Sequence, residues 1–324
     1  MRLLWCILAW TITITGLIIF FAWLIGKIFS NMFSWSQWLF WLPSPLILVV
    51  LLVCLVGGLR QWHPLKIQWQ RMLPLLVAFL VVALAFTFWE HRLLAGAPSA
   101  PTGLSILSWT MPSRTEEAVG EEAFLGRVNA DVALLTWGDD MKRAQPEWQP
   151  LLPNHRFYRG GVASIISRYP VQEIRPVVSR DEMRVVLAIL NADPIFTEPL
   201  IVYVVDLPSS LSFNRMQGAL KLRMILDGLN LPPPDLVVGD FNMIRGSAAV
   251  KTLFPDLRNA YDIGGHGYAA TFHRQWPIYH IDLALVSPSI DVTDYQLVDP
   301  GMGRHLGQLF YIQPANLNKT PQDQ

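Results

Sequence analysis

Cysteine and charge are both scarce in this sequence. Only two cysteines occur, Cys6 and Cys54, and both lie inside apolar runs. The chain after residue 93 has none, so its fold uses no disulfide, which is compatible with any compartment. Charged residues make up 15% of the chain, and 25 basic residues balance 25 acidic ones. This balance disfavours nucleic acid as a partner, because a nucleic-acid-binding surface needs a strong basic bias.

Apolar residues are abundant instead: they make up 52% of the chain, which is high for a soluble protein. They concentrate in residues 1–93, in three runs at about 3–25, 38–59 and 72–89. Each run approaches the roughly 20 residues that a helix needs to cross a bilayer. The first run is too long for a cleaved signal peptide, and no small-residue cleavage site follows it. Residues 1–93 are therefore predicted to be a membrane region with three transmembrane helices, of which the second is the weakest because it contains two prolines.

The basic residues of this region predict its orientation. If all three runs span, one side of the membrane carries Arg2, Arg60, Lys66 and Arg71, and the other carries Lys27 and Arg92. Since basic residues favour the cytoplasmic side, this bias places the N-terminus in the cytoplasm and everything after Arg92 outside, at an inner or plasma membrane. If these side chains merely extend from helix ends to the interface, the orientation stays open.

The rest of the chain is predicted to be a linker at 94–103, a globular domain at 104–312 and a flexible tail at 313–324. The linker contains the small, proline-rich stretch "AGAPSAPTG". Strand-like segments of the domain lie at 104–110, 130–140, 160–170, 183–190, 200–210, 234–242 and 280–287, and helix-like segments lie at 121–129 and 215–230. Near-continuous apolar strands that alternate with helices favour sheets covered by helices.

Five segments, in this order, carry a resemblance to a known family. They are "ADVALL", "GGVASIISRYPV", "VVGDFN", "GYAATFHRQWPIYHIDLALVS" and "GMGRHLGQ". Together they resemble the endonuclease/exonuclease/phosphatase superfamily over nearly all of residues 104–312. The resemblance implies an α+β fold, a four-layer α/β sandwich of two packed sheets with outer helices. The helices that precede the domain are similar to those of a membrane-bound bacterial branch of the family.

The resemblance assigns catalytic roles to four residues. Asp240 would orient or deprotonate the attacking water, and Asn242 would contact the phosphate or help to hold that water. Asp282 would fix the tautomer of His305, whose ring would contact the phosphate. Without the surrounding motifs, Asp240 and Asn242 would be as typical of a turn after a strand as of a catalytic site. A lone histidine after a loop, such as His305, is usually a surface residue.

Four other positions depart from the family pattern. Thr110 stands where an Asn is expected, Trp137 replaces the main metal-binding Glu, Asp206 replaces a His, and Arg304 replaces an Asp. Arg304 is expected to bind phosphate and so to replace part of the role of the family's Mg²⁺. Mg²⁺ itself is expected to bind weakly or not at all. The metal ligands are therefore unknown.

Some further acids and histidines remain open to two interpretations. Asp139, Asp140 and Asp206 are either substitute ligands or, for the first two, solvated acids of a turn. His266, His273 and His280 follow no recognised ligand spacing and are interpreted as structural.

Three hypotheses of different classes follow. The first is a membrane-anchored phosphoesterase, acting outside the cytoplasm on a phosphate-containing small molecule or envelope component. The second is a pseudoenzyme that keeps the fold as a binding or scaffolding domain. The third, a transport role for the helices, is disfavoured because they hold almost no interior charge.

Overall fold

Two compact units, Met1–Leu94 and Ala95–Gln324, make up the chain. The structure is a computed structural model that describes residues 2–62, 72–95, 100–112 and 120–315. Lys66, Arg71, part of the predicted linker and most of the predicted tail lie outside the described residues. The side chains of Arg2, Arg60 and Asp139 also lie outside the description.

The first unit is helical. Its helices are α1 (Arg2–Phe29), α2 (Ser36–Phe40), α3 (Ser44–Trp62) and α4 (Leu73–Leu84), and a π-helical segment, Ala85–Glu90, continues α4. By length and composition alone, Cys6–Phe29 and Leu73–Glu90 are sufficient to cross a membrane, whereas Ser44–Leu59 is a shorter apolar stretch. Apolar side chains of α1, α3 and α4 pack together inside this unit.

The stretch predicted as one helix at 38–59 is divided, which corrects the sequence-based boundaries. The chain leaves the helical conformation after Phe40 and resumes it at Ser44. Pro43 lies in the break, where its ring disfavours a helical conformation at the residue before it. Pro45 lies in the first turn of α3, where a missing backbone N–H has no cost.

The second unit contains two six-stranded mixed sheets. The first sheet has the order β11-β12-β1-β2-β4-β3, with β1 parallel to β2 and the other pairs antiparallel. Its strands are β1 (Leu104–Thr110), β2 (Val132–Thr136), β3 (Arg156–Gly160), β4 (Ala163–Ser167), β11 (Ile290–Val298) and β12 (Gly307–Pro314).

The second sheet has the order β5-β6-β7-β8-β10-β9, and only β7 and β8 are parallel within it. Its strands are β5 (Val171–Arg180), β6 (Met183–Leu190), β7 (Leu200–Asp206), β8 (Leu236–Asp240), β9 (Arg258–Asn259) and β10 (Asp282–Val286).

Helices cover the outer faces of both sheets. They are α5 (Glu121–Val128), α6 (Gln145–Trp148), α7 (Arg215–Gly228) and α8 (Ala248–Leu253). The short helix α9 (Ala260–Gly264) instead contributes Ala260 and Tyr261 to the core between the sheets. One apolar cluster lies between the two sheets, a second joins α7 and α8 to the second sheet, and a third joins α5 and α6 to the first. This is the predicted four-layer sandwich, which confirms the predicted fold class.

The seven predicted strand segments all contain strands, but the structure adds β3, β5, β9, β11 and β12. β12 ends at Pro314, so the ordered domain continues two residues into the predicted tail.

Candidate active site

A row of four polar residues crosses the second sheet at one end of the sandwich. In the strand register Arg184 lies beside Asp206, Asp206 beside Asp240, and Asp240 beside Asp282. Residues in register on neighbouring strands point to the same face of a sheet. That face is the inner one, because the residues two positions further along the strands belong to the apolar core between the sheets: Val186, Val204, Val238 and Ala284. The polar row therefore lies where the core between the two sheets ends.

The turn after β8 places Asp240 and Asn242. Gly239 has φ +130°, and a Cβ at this position would lie 2.0 Å from the carbonyl oxygen of Val205. Only glycine therefore lets β8 approach β7 this closely. Asn242 lies in the left-handed region, with φ 49°, and its backbone N–H donates to Asp240 Oδ1 over 3.0 Å. Its side-chain Nδ2 donates to the carbonyl oxygen of Leu207 over 2.9 Å. The turn interpretation and the catalytic interpretation of this pair are thus compatible, because the same contacts fix both side chains.

Asp282 and His305 form the pair that the resemblance implies. His305 Nδ1 lies 2.9 Å from Asp282 Oδ2 and 3.1 Å from Oδ1. From the other sheet, Thr110 Oγ1 donates to Asp282 Oδ1 over 2.7 Å. The His305 ring packs against Phe272, with 5.0 Å between ring centroids. Because Nδ1 faces the carboxylate, the opposite ring nitrogen, Nε2, is the one that a substrate can meet.

Asp240 joins this pair. One ligand atom from each of Asp240, Asp282 and His305 lies within 4.8 Å of the others. Burial, and then the charge of Asp282, raises the pKa of Asp240 to about 8, although His305 and the hydrogen bond from Asn242 act in the opposite direction. Burial alone would raise the pKa of Asp282 too. The charge of His305 and hydrogen bonds from His305, Thr271 and Thr110 outweigh burial and lower it. The two pKa values are therefore driven apart, so that Asp282 is the anion and Asp240 keeps its proton until the pH approaches 8.

A second group, not found by the sequence reasoning, lies at the other end of the row. Arg184 Nη1 donates to Asp206 Oδ2 over 2.8 Å, and its guanidinium carbon lies 4.9 Å from the centre of the Trp137 ring. Burial raises the pKa of Asp206, while Arg184, Trp137 and His305 lower it. Asp206, which stands where the family resemblance expects a histidine, is thus half of an ion pair. The sequence held one signal for it: Arg184 is a charged residue at an inner-facing position of an otherwise apolar strand.

The donors of this site fit Mg²⁺ poorly. Mg²⁺ prefers octahedral oxygen ligands. Asp282 already accepts hydrogen bonds at both oxygens, and one Asp240 oxygen accepts from Asn242. Asp206 is paired with Arg184, and Trp137, which has no ligand atom for a metal, occupies the end of β2. The oxygens left over, one on Asp240 and one on Asp206 beside Arg184, are too few to make a magnesium site, so no step of the chemistry below passes through a metal.

The remaining predicted residues lie around or away from this centre. Arg304 is exposed beside His305, and its carbonyl oxygen accepts from the backbone N–H of Arg274 over 2.6 Å. Asp140 is not part of the group formed by Asp240, Asp282 and His305; it lies near Glu121, whose pKa is raised to about 7 by burial first and then by the charges of Glu122 and Asp140. His280 is buried against Tyr261, and its pKa is lowered to about 3 by burial and by Arg245, as suits a neutral structural histidine.

Two sheets packed face to face, with an acid–amide turn and an Asp–His pair where they separate, define an α/β sandwich protein with a polar site at one end. The model of the Endonuclease/Exonuclease/phosphatase family matches residues 88–320, and the chain belongs to this family. No curated protein matches the chain.

Three solved structures illustrate what the chain is similar to. A humanized D. rerio TDP2 with 14 mutations has 15% identity and a TM-score of 0.50, over 65% of this chain and 98% of that one. A family protein from Bacteroides thetaiotaomicron has 13% identity and a TM-score of 0.48, over 67% and 97%. A mutant beta toxin from Staphylococcus aureus, solved with bound magnesium ions, has 13% identity and a TM-score of 0.44, over 65% and 99%.

Proposed function

We propose that this protein is a membrane-anchored phosphoester hydrolase whose active site is formed by Asp240, Asn242, Asp282 and His305. The observation that carries the proposal is the convergence of Asp240, Asp282 and His305 within 4.8 Å. A buried acid next to an Asp–His pair supplies a proton acceptor and an oriented hydrogen-bond donor, which phosphoryl transfer to water needs.

The residues divide the reaction as follows. Asp240 accepts a proton from a water whose oxygen forms the new bond to phosphorus, while the bond between phosphorus and the ester oxygen breaks. His305 Nε2 contacts a phosphoryl oxygen, and Asp282 holds the ring and stabilises its charge. The departing oxygen receives a proton from solvent and Asp240 returns its proton to solvent, so water and a phosphoester become an alcohol and a phosphate. Arg304, exposed at the rim, is proposed to bind phosphate.

The apolar helices support an anchor, and the charge bias of the sequence supports a domain on the extracytoplasmic side. A substrate that shares the membrane or the space beside it suits such an enzyme. We propose a lipid headgroup, a sugar phosphate or a phosphodiester of the cell envelope. The even balance of charge disfavours nucleic acid.

The second candidate function is that of a pseudoenzyme that binds a phosphate-containing partner without turnover. The observation that favours it is the exchange of two family carboxylates for Trp137 and Arg304. In addition, hydrogen bonds within the site already occupy both oxygens of Asp282.

The test is a screen of the full-length chain in detergent against phosphomonoesters and phosphodiesters, with Mg²⁺, with Mn²⁺ and with a chelator. Activity is expected to persist in the chelator. Asp240→Ala is expected to reduce it on the order of a hundredfold or more, because a general base is lost, and His305→Ala should reduce it similarly. The matched control is Asp227→Ala, which removes an exposed acid of a helical ion pair.

Two results would contradict the proposal in different ways. A parent protein that is inert on every phosphoester favours the pseudoenzyme. A parent that is active but indifferent to Asp240→Ala would show that the turn after β8 does not carry the chemistry.

A further inference from the structure

We infer that Arg184 is the resident cation of this site and binds the non-bridging oxygens of the substrate phosphate in place of a divalent metal ion. The inference rests on the proposed function, in that it assumes a phosphate-containing ligand at the same end of the sandwich. Arg184 would then be a catalytic residue that the family resemblance does not provide.

Arg184 is the first inner-facing residue of β6. The inner-facing residues that follow it, Val186, Ala188 and Leu190, are all in the apolar core. A charge at this point has one polar direction open to it, toward the end of the sandwich that holds Asp206 and Asp240. Its neighbours across the sheet are fixed by strand pairing, so its backbone position is more constrained than that of an arginine on a loop.

Two side chains hold the Arg184 guanidinium in place. The Trp137 ring lies under it at 4.9 Å, and Asp206 accepts from Nη1 at 2.8 Å. Nη1 also lies 3.4 Å from the carbonyl oxygen of Glu182. An aromatic face and a carboxylate both attract a cation, and both are at the positions where the family resemblance expects a metal ligand and a histidine. The two replacements, Trp137 for a metal-binding Glu and Asp206 for a His, therefore suit a site in which a guanidinium takes the place of a metal ion.

Part of the Arg184 guanidinium remains available to a ligand. Nε and Nη2 have no hydrogen-bond partner among the residues that the structure describes, and about a third of the side chain, 35%, is exposed. A guanidinium that served only to neutralise Asp206 would be expected to use both arms of its fork on the carboxylate. Here Nη1 holds Asp206, which leaves the N–H groups of Nε and Nη2, on one edge of the plane, to meet two phosphate oxygens.

The site carries negative charge that a bound phosphate would increase. Asp282 is an anion, Asp240 lies beside it, and a phosphate adds further negative charge. The charge of His305 already offsets part of this negative charge, and a phosphate beside these acids calls for a further cation close by. Arg184 is the cation that the strand register places in this row, and Asp206 connects it to Asp240.

The test measures binding of inorganic orthophosphate to the full-length chain in detergent, by calorimetry in the presence of a chelator. The parent is expected to bind without metal. Arg184→Met keeps a side chain about as long as the aliphatic part of arginine and should weaken binding roughly 10- to 100-fold, since hydrogen bonds to a charged group are lost. Arg184→Lys should fall between the two, because a point charge cannot reproduce the fork. The matched control, Arg180→Met, removes an exposed arginine of the same hairpin and should bind as the parent does.

A second variant separates a loss of binding from a loss of folding. Arg184→Met leaves Asp206 buried without its partner, so Arg184→Met combined with Asp206→Asn removes both charges together. Near-ultraviolet circular dichroism of each variant checks that the sandwich is intact. Weak phosphate binding by the folded double variant supports the inference.

Each outcome separates this inference from the proposed function. Phosphate binding that depends on Arg184 in a protein without turnover supports the inference and contradicts hydrolysis. Turnover and phosphate binding that are both unchanged in Arg184→Met support hydrolysis and overturn the inference. Phosphate binding that is absent from the parent, or that requires Mg²⁺, also overturns it.

Discussion

Asp240 combines a structural contact with the chemistry proposed for it. Its Oδ1 accepts the backbone N–H of Asn242 and so closes the turn after β8. Its carboxylate also lies within 4.8 Å of ligand atoms of Asp282 and His305. A side chain that is held by its own turn loses little freedom when substrate binds, so the turn prepares the acid for its role.

The raised pKa of Asp240 gives a pH dependence that can be measured. Proton acceptance requires the carboxylate, and burial beside Asp282 raises the pKa of Asp240 to about 8, with Asp206 adding to the rise and His305 opposing it. The neutral acid therefore dominates below that value, and kcat/KM should rise with pH until about pH 8 and then level off.

Two variants check this profile in the full-length protein. Asp240→Asn should remove the rising limb along with most of the activity. Asp227→Ala, at an exposed acid, should leave the limb in place. A parent profile that is flat between pH 5 and pH 8 (roughly the range in which a group of this pKa gains its charge) would contradict the role of Asp240 as the base.

Local sequence motifs predicted some of these residues and not others. Asp240, Asn242, Asp282 and His305 stand in ordered segments, and the structure brings the two acids and the histidine together. Arg184 stands in no such segment. Its significance depends on strand register, which pairs residues 22 positions apart in the sequence and cannot be obtained from either strand alone.

At the level of elements, burial explains which strands the sequence predicted. β2, β4, β8 and β10 are buried on every residue and appear as continuous apolar runs. β3 and β5 are mostly exposed or half-buried, and β5 also contains Pro176, so their sequences resemble loops. β11 and β12 become half-buried or exposed toward their ends, so their apolar runs are short. The helices α5 and α7 were predicted because apolar residues recur at helical spacing.

The junction between β7 and β8 gives an element-scale prediction. Gly239→Ala should destabilise the sandwich by about 3 kcal/mol, because its Cβ would overlap the Val205 carbonyl oxygen and its φ of +130° is unfavourable for any side chain. Thermal unfolding of the full-length chain, followed by near-ultraviolet circular dichroism, measures the effect.

Gly246→Ala is the matched control. Gly246 also has a positive φ, +77°, but nothing lies within 4 Å of a Cβ placed there. This variant should therefore lose only about 1 kcal/mol of stability, from backbone strain. Equal losses in both variants would show that the close approach of β8 to β7 is not what requires glycine at position 239.

At the scale of the whole molecule, the number of membrane-crossing helices in the proposed anchor would decide where the site can act. α1 and the segment Leu73–Glu90 are long and apolar enough to span. The apolar stretch of α3, Ser44–Leu59, is shorter: at 1.5 Å per residue it is about 24 Å long, a little less than the thickness of a bilayer core. Three spans place the domain on the side opposite the N-terminus, whereas two place it on the same side.

A partly buried polar cluster bears on this choice. Lys27 near the end of α1 donates to Glu90 over 2.8 Å, and Ser44 at the start of α3 donates to the same carboxylate oxygen over 2.6 Å. The end of α1, the start of α3 and the end of the segment after α4 therefore lie at one end of this helical unit. Such an arrangement is the one expected if α1 runs in one direction, α3 returns and α4 runs in the first direction again. It supports three spans, because a paired charge at helix ends suits an interface better than the bilayer centre.

The last prediction is that reporters will place the two termini on opposite sides of the membrane. With three spans and the basic bias of the sequence, alkaline phosphatase fused after residue 324 should be active, and green fluorescent protein at the same place should be dark. Green fluorescent protein fused before residue 1 should fluoresce, which reports a cytoplasmic N-terminus, and recovery of the fusion in the membrane fraction controls for insertion. A fluorescent C-terminal fusion together with a fluorescent N-terminal fusion, both in the membrane fraction, would mean that only two helices cross. In that case the phosphate chemistry proposed for Asp240 and His305 would belong to cytoplasmic substrates, and the envelope phosphodiesters would no longer be candidates.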